Sequence, residues 1–497
     1  MNVLYCLRRA NQIYGTNVAS QASEGPLTWS QFYDRVCRAA AFLRDLGIQK
    51  GDRVAVWMLN SNEYLELYYA TAMAGIVIVP LNTRWHESDV AFTLQDADSV
   101  ALIVDDRFAP QASAMAIAPR LIYAGSGECP KGMVRYGYSD ATHVFEEPLE
   151  EELAGLFYTS GTTGGPKGVM LTHRNLWSNL LHSMLVDIRD GVWLHSAPMF
   201  HLADLTSVYT ITASGGTHCY LPTFDPEECM RLIERYRVTD TVLVPTMLNM
   251  VIHSPNWGKY DLSSLGTFLY GASPMPLPLI QSAMQKLPNT RFRQGYGMTE
   301  ASPLLTILNY EDHFRDAVTS AGKPIMGCEV RVVDDFDRDV PVGECGEIIA
   351  RGANVMKGYW KRPEISAEVL RNGWLHTGDL GRFDNDGFLY ILDRKKDMIK
   401  PGGENVYTPE VESMVAAHPA VLEVAVIGVP DPKWGEAIRA VVTRRNGETL
   451  TDVELIAWCR ERMTAFKCPT SVVFVDTLPK GGTGKVQKSV LRERFGV

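Results

Sequence analysis

Residues 158–168 read Tyr-Thr-Ser-Gly-Thr-Thr-Gly-Gly-Pro-Lys-Gly, with four small hydroxyl side chains, four glycines and one lysine in eleven positions. Glycine lets backbone N–H groups approach an anion closely, hydroxyls add donors, and lysine brings a mobile positive charge. Together they suit a polyphosphate. The run is not a Walker A loop, because the closing Gly-Lys-Ser/Thr is missing and Pro166 precedes Lys167. A plain surface turn seldom needs so many hydroxyls. Four further spots set reactive side chains among turn-formers: Tyr270-Gly-Ala-Ser273, Gln294-Gly-Tyr-Gly-Met-Thr-Glu300, Thr377-Gly-Asp379 and Gly482-Thr-Gly-Lys485. A charged strip, Asp393-Arg-Lys-Lys-Asp397, and the loop Lys400-Pro-Gly-Gly403 complete the set. The plain alternatives are a helix cap at Thr299 and Glu300, an Asx-turn at Asp379 and solvated charge at the lysines.

Such spots need elements to aim them. Thr28 and Gln31 are spaced as a capping box, and Phe32, Val36, Ala39, Ala40 and Leu43 follow at helical spacing up to Gly47. Arg53–Met58 and Ile76–Val79 are predicted strands with no wet face, separated by a helix from about Asn62 to Ala74. Helices alternating with fully apolar strands predict a parallel sheet covered on both sides. The pattern recurs at Val192–Ser196, Asp240–Val244, Thr267–Tyr270 and Arg291–Arg293, and most of these strands run into a polar or Gly-rich loop. Ligands on open parallel sheets bind beyond the carboxyl ends of the strands, so these exits predict one shared crevice. From about residue 320, short segments between turn signals predict a β-rich subdomain. The C-terminal stretch carries two helix patterns, Pro409–Ala417 and Asp452–Met463, and two strands, Glu423–Val429 and Val472–Val475. That predicts a small α+β module.

At the level of motifs the chain resembles the AMP-forming acyl-CoA synthetases of the adenylate-forming superfamily. The likeness spans nearly the whole length and rests on the spots above, with Pro198-Met-Phe-His201 and Trp374-Leu-His-Thr-Gly-Asp379, in the family's order. The resemblance implies an α/β fold: a large N-terminal domain of parallel-sheet layers over residues 1–393, and a mobile α+β domain over 394–497. It also implies ATP, Mg²⁺ and coenzyme A as cofactors and a small-molecule carboxylic acid as substrate. Thr159, Ser160, Gly161, Thr162, Thr163 and Lys167 would hold phosphates. Gly271, Ala272, Ser273, Gln294, Gly295, Tyr296, Gly297 and Met298 would line the adenine site. Thr299 would donate to a phosphate and Glu300 would hold Mg²⁺. Asp379 would take the ribose hydroxyls, with Arg394 near the ribose or phosphate. Lys396 is the implied hinge and Lys485 the lysine that enters during adenylation. The loop holding Lys400, Gly402 and Gly403 would face the CoA thiol afterwards. His201 falls at a position beside the reacting carboxylate and is read as shaping the acyl pocket. Relatives often have proline where this chain has Gly482.

Composition narrows the rest. With 48 Lys and Arg against 58 Asp and Glu, the net charge is −10, which speaks against duplex nucleic-acid binding. The nine cysteines form no CxxC pair, so a zinc site or disulfide framework is not expected and a cytoplasmic setting is. No secretory leader or transmembrane run is expected. Oligomeric state stays open between monomer and homodimer. The presumed pocket segments, 202–209, 246–251, 270–273 and 302–306, mix apolar and small polar residues. That leaves medium- or long-chain fatty acids and hydroxycinnamic acids such as ferulate or coumarate. A luciferase-like adenylating oxygenase and a non-catalytic nucleotide-binding regulator are the alternatives.

Overall fold

The capping box forms as spaced: Thr28 and Gln31 exchange side-chain and backbone bonds at the head of the helix Trp29–Asp45, which buries Phe32, Val36, Ala39, Ala40 and Leu43. The computed structural model describes residues 1–22, 24–115, 119–159, 165–184, 191–480 and 486–496. They divide into two compact units, residues 1–330 with 350–375, and residues 331–349 with 376–497. The N-terminal helix Leu4–Tyr14, which the sequence reading did not anticipate, belongs to the first unit. Among the described residues no helix is long and apolar enough to cross a membrane.

The first unit holds two sheets. One has eight strands, ordered Gly358–Tyr359, Lys167–Thr172, Leu153–Thr159, Val77–Pro80, Arg53–Trp57, Ser99–Val104, Arg120–Tyr123 and Val134–Arg135. The other has nine, ordered Lys323–Pro324, Leu304–Leu308, Arg291–Gly297, Thr267–Gly271, Asp240–Leu243, Val192–His195, Thr217–Tyr220, Val18–Ala22 and Gly25–Thr28. From Arg291–Gly297 through Val18–Ala22 each neighbouring pair is parallel. Interior strands of the eight-stranded sheet such as Val77–Pro80 are apolar along their length, as burial on both faces demands, whereas those of the nine-stranded sheet also bury polar residues such as His195, His218 and Asp240. Helices such as Asn62–Met73 and Leu202–Ser214 are buried almost all round, which places them inside the unit.

One strand departs from expectation. Arg291–Gly297 runs four residues past the predicted end and carries half of the 294–300 motif inside the sheet. Its glycines make that extension possible by close approach. A Cβ on Gly271 would lie 2.3 Å from Gly295 O, and one on Gly297 would lie 1.8 Å from Pro303 O.

The second unit contains a four-stranded sheet, ordered Cys328–Val333, Gly346–Gly352, Leu375–Phe383 and Leu389–Arg394, whose first strands straddle the division of the chain. Its other sheet pairs Val421–Asp431 antiparallel with Gly435–Arg444, which pairs parallel with Ser471–Phe474. The helices Thr408–Ala416, Asp452–Arg460 and Lys488–Phe495 belong to the same unit. The strand Gly435–Arg444 and the last helix were missed because their apolar positions follow no long clean period.

Candidate nucleotide and acid site

Parallel register brings together the candidates of the first unit. Tyr270 pairs with Gln294 and Gly271 with Gly295, so the segments 270–273 and 294–297 leave the sheet side by side. Ala272 sits at φ +64° directly beyond. Tyr270 itself is buried and hydrogen-bonds His313 Nε2 at 2.8 Å. Tyr296 and Met298 are partly buried next to this strand end. A short 3₁₀ turn, Thr299–Ala301, follows at once; its cap position belongs to Met298, so Thr299 is not the capping residue.

Glu300 is the candidate carboxylate with the best-defined surroundings in the first unit. It is 7% exposed, and its Oε1 accepts the Tyr359 hydroxyl at 2.7 Å. Oε2 has no hydrogen-bond partner among the described residues. Tyr359 comes from the other sheet. It pairs with Val169 on the strand Lys167–Thr172, and Met356 N–H donates to Glu300 O at 2.9 Å. Lys167 closes the arrangement, with Nζ 5.5 Å from the centre of the Tyr359 ring, within cation–π range. One tyrosine therefore touches both the metal-type carboxylate and the phosphate-type lysine. Sequence reasoning missed it, since Gly358-Tyr-Trp360 carries no chemical signal by itself.

Thr159 and Lys167 face each other across the antiparallel pair that brackets the hydroxyl loop. Ser160, Gly161, Thr162 and Thr163 lie outside the described residues, as do Gly482 and Lys485. No cluster of three or more His, Cys, Asp or Glu that could hold a metal occurs among the described residues. A lone carboxylate with a spare oxygen fits Mg²⁺, which is held by one or two carboxylates together with substrate phosphates.

His201 caps the helix Leu202–Ser214. Its Nδ1 accepts the Ala203 N–H at 3.3 Å, so the neutral ring carries its proton on Nε2. The structure thus gives His201 a helix-capping role. Asn60 fixes the approach to His201. Its Nδ2 reaches the carbonyls of His195 and Ala197 at 2.9 and 2.8 Å, and its Oδ1 accepts Met199 N–H at 2.8 Å. The Tyr68 hydroxyl donates to Met199 O at 2.7 Å. A buried relay anchors the helix: Asp204 Oδ2 to His195 Nδ1 at 2.6 Å, His195 Nε2 to His218 Nδ1 at 2.9 Å, and His218 Nε2 to Thr212 at 3.1 Å. Burial and the facing His195 ring hold His218 well below the ordinary histidine value. A narrow gap lined by Leu176, Leu202, Leu205 and Ser302, among others, sets this helix against the turn that bears Glu300.

The second unit holds the remaining candidates. Asp379 is 6% exposed and faces Arg394 across paired strands, with Arg394 Nε 2.8 Å from Oδ1. Asp379 N–H donates to Thr377 Oγ1 at 3.1 Å, a turn bond that shapes the backbone and leaves the carboxylate to its own contacts. In the strip 393–397 the middle three residues are exposed, but the charges of Arg394, Lys395 and Asp397 are paired. Asp393 accepts Thr408 N–H and O–H at 2.6 and 2.9 Å. Lys395 reaches Asp335 and Glu347 at 2.8 and 3.2 Å, and Asp397 meets Arg492 at 2.6 Å. Lys396 stands in the middle of this strip, and its carbonyl lies 3.4 Å from Arg492 Nη2. Lys400 N–H donates to Glu436 at 2.7 Å, and Gly402 N–H to Trp434 O at 2.8 Å. Gly403 continues the turn at φ +93°, and Trp434 is half exposed beside it.

Residues 7–360 match the AMP-binding enzyme family and residues 410–485 the AMP-binding enzyme C-terminal domain. The chain is 42% identical to a feruloyl-CoA synthase of Amycolatopsis sp, over 95% of this chain and 94% of that protein. It is 38% identical to the long-chain-fatty-acid–CoA ligase FadD13 of Mycobacterium tuberculosis, over 94% and 93%. The fold matches o-succinylbenzoate coenzyme A synthetase (MenE) from Bacillus subtilis in complex with ATP and magnesium ion, with a TM-score of 0.86, 31% identity and coverage of 98% and 99%.

Proposed function

The chain belongs to the AMP-binding enzyme family, and from that premise we propose how its residues divide the work of an ATP-dependent acid:CoA ligase. A substrate carboxylate attacks the α-phosphorus of ATP, giving acyl-AMP and pyrophosphate. The CoA thiol then attacks the acyl carbonyl and AMP leaves. No protein nucleophile is required, so positioning and charge stabilisation carry the rate. The observation that carries this reading is the Glu300–Tyr359–Lys167 contact beside the paired strand ends at Gly271 and Gly295.

In this reading Gly271–Ser273 and Gln294–Met298 cradle adenine with Tyr296 against its face. Thr299 donates to a phosphate, while Lys167 and the loop 159–163 take the leaving pyrophosphate. Glu300 holds Mg²⁺, which when bound supplies positive charge on the phosphate oxygens. Asp379 takes the ribose hydroxyls and Arg394 supports it. His201 shapes the acid pocket. Backbone rotation at Lys396 divides the steps between residues 1–393 and 394–497: Lys485 serves adenylation, and Lys400, Gly402 and Gly403 serve thioester formation. The acid is hydrophobic, a hydroxycinnamic acid or a medium- or long-chain fatty acid. The names of the two curated relatives bracket those two classes. They are CoA ligases, which disfavours the oxygenase and regulator readings.

The test is pyrophosphate release with and without CoA across fatty, cinnamic and benzoic acids, repeated for Lys485→Ala. The substitution should nearly abolish acyl-AMP formation while sparing thioester formation from supplied acyl-AMP. Equal loss of both steps removes the proposed division of labour.

A further inference from the structure

The helix Glu87–Asp96 ends on an acid that its own stability does not ask for. A carboxylate in the last turn faces the negative end of the helix dipole, yet Asp96 is kept there with its side chain only 10% exposed. Its three acceptor atoms are all engaged from outside the helix. Oδ2 accepts the Tyr158 hydroxyl at 2.7 Å, Oδ1 accepts Arg362 Nη2 at 2.9 Å, and the backbone carbonyl accepts the Trp360 indole N–H at 3.0 Å. These donors lie 62, 266 and 264 positions away in the chain.

Two of the donors stand beside residues with a proposed phosphate role. Tyr158 precedes Thr159 and faces Gly168 across the paired strands. Its ring lies so close to Gly168 that a Cβ there would meet Tyr158 Cζ at 2.9 Å, so the ring rests on the backbone next to Lys167. Trp360 follows Tyr359, and its backbone N–H donates to Gly168 O at 2.8 Å. A closed circuit therefore runs from Asp96 through Tyr158, Gly168 and Trp360 back to Asp96. Lys167 and Tyr359 each stand one residue off it, and they meet each other through the contact of Lys167 Nζ with the Tyr359 ring. Burial and the Asp96 carboxylate push the Tyr158 hydroxyl well above its ordinary value, so it remains a donor at any working pH. Arg362 offsets the negative charge that would otherwise repel a polyphosphate.

We propose that Asp96 is a positioning residue that holds Lys167 and Tyr359 in one frame, and so sets the grip on the β- and γ-phosphates of ATP without touching them. This rests on the acid:CoA ligase reading above. Thioester formation from acyl-AMP involves neither of those phosphates, so it should not depend on Asp96. The rival is an effect of charge alone. A carboxylate behind a phosphate site weakens ATP binding by repulsion, and removing it would then tighten binding. The two readings differ in sign.

The test compares wild type with Asp96→Ala, Asp96→Asn, Tyr158→Phe and the neighbouring control Asp98→Asn. ATP affinity is measured by calorimetry, KM for the acid at saturating ATP, and thioester formation from supplied acyl-AMP. Asp96→Ala frees both side-chain donors, and ATP should bind about ten-fold more weakly, the scale of one charge-assisted hydrogen bond. Tyr158→Phe keeps the ring and Asp96→Asn keeps one acceptor, so each should weaken ATP binding about three-fold. Adding Tyr158→Phe to Asp96→Ala should cost little more, because both break the same contact. Asp98 pairs with Lys361 outside the circuit, and its variant should match wild type. KM for the acid and thioester formation should stay within about two-fold in every variant, as expected of sites that share no partner. Tighter ATP binding in Asp96→Asn overturns the proposal in favour of charge. Unchanged ATP affinity in Asp96→Ala overturns it outright, and so do parallel losses in ATP affinity, KM for the acid and thioester formation. If Asp96→Ala does not fold, the two milder variants decide. If wild type releases no pyrophosphate with any acid, the ligase reading fails, and the ranking of ATP affinities still decides the role of Asp96.

Discussion

The turn at Gly295–Glu300 and the strip at Asp379–Gly403 carry comparable chemistry and are held in different ways. The turn is fixed by backbone. Its strand pairs on both sides, its glycines touch neighbouring chain, and Glu300 is clasped by a buried tyrosine. The strip is fixed largely by charge. Arg394 and Lys395 are 46% and 44% exposed and are held to Asp379, Asp335 and Glu347 by ion pairs. Pairs this exposed contribute about 0–1 kcal/mol each and can be exchanged at little cost. A turn proposed to hold metal and phosphate gains from preorganisation, whereas a segment proposed to rotate gains from contacts that break easily.

The sharpest way to break this contrast is to place a methyl group on a glycine in each region. Gly297→Ala sets a Cβ 1.8 Å from Pro303 O, a backbone atom that cannot step aside. Adenylation should fall by on the order of a hundred-fold or more, and the melting temperature should drop by several degrees. Gly402→Ala sets its Cβ 2.9 Å from the half-exposed Trp434 ring at φ +61°. The indole can move, so adenylation should stay near wild type and the loss should appear in thioester formation. Rapid-quench assays of the two half-reactions separate the variants. Similar losses in both steps for both variants would erase the distinction.

A smaller effect is expected at Tyr359. Tyr359→Phe keeps the ring under Lys167 and deletes the hydroxyl on Glu300. Partners that orient a metal ligand are typically worth about 10–100-fold in metal affinity. The Mg²⁺ concentration giving half-maximal ATP binding by calorimetry should rise about ten-fold, with KM for the acid unchanged. Tyr359→Leu should also weaken ATP binding without Mg²⁺, since Lys167 loses its ring. A Mg²⁺ dependence identical to wild type in Tyr359→Phe removes Tyr359 from the site.

How much of this was legible in the sequence follows from the range of the forces involved. The parallel layers were readable because interior strands of the eight-stranded sheet are apolar at nearly every position, as at Arg53–Trp57 and Val77–Pro80. The capping box at Thr28 was readable because both partners lie within three residues. Glu300 and Asp379 were legible as candidates because glycine and threonine crowd around them. Tyr359 and Asn60 were not. Both act on residues distant in sequence, 59 positions for Tyr359 and Glu300 and 139 for Asn60 and Met199. Local spacing carries no trace of such contacts. The ion pairs of the strip 393–397 were not legible because its partners, Asp335, Glu347, Thr408 and Arg492, lie in separate segments. The compact units also part nearer residues 331 and 376 than 394, since strand pairing binds Leu389–Arg394 to Leu375–Phe383.

The smallest expected effect concerns Asp393, the buried anchor of the strip. It accepts Thr408 N–H and O–H and Arg394 N–H. Burial nonetheless pushes its carboxyl above the ordinary value of 3.8, with these bonds and Lys488 opposing. A carboxyl raised in the folded state binds its proton more tightly there than in the unfolded chain. Its contribution to stability is therefore present below 3.8 and is lost as pH rises through the raised value. Asp393→Asn should remove that slope. At neutral pH the amide keeps an acceptor for Thr408 and sheds a buried charge, so the net change should stay within about 1 kcal/mol. Melting temperatures of the variant and wild type, taken side by side from about pH 4 to 7.5, read the difference. Any advantage of the variant at neutral pH should narrow, or reverse in favour of wild type, as pH falls. Parallel curves would mean that the burial of Asp393 is fully offset by its hydrogen bonds, and that the strip is anchored as rigidly as the turn.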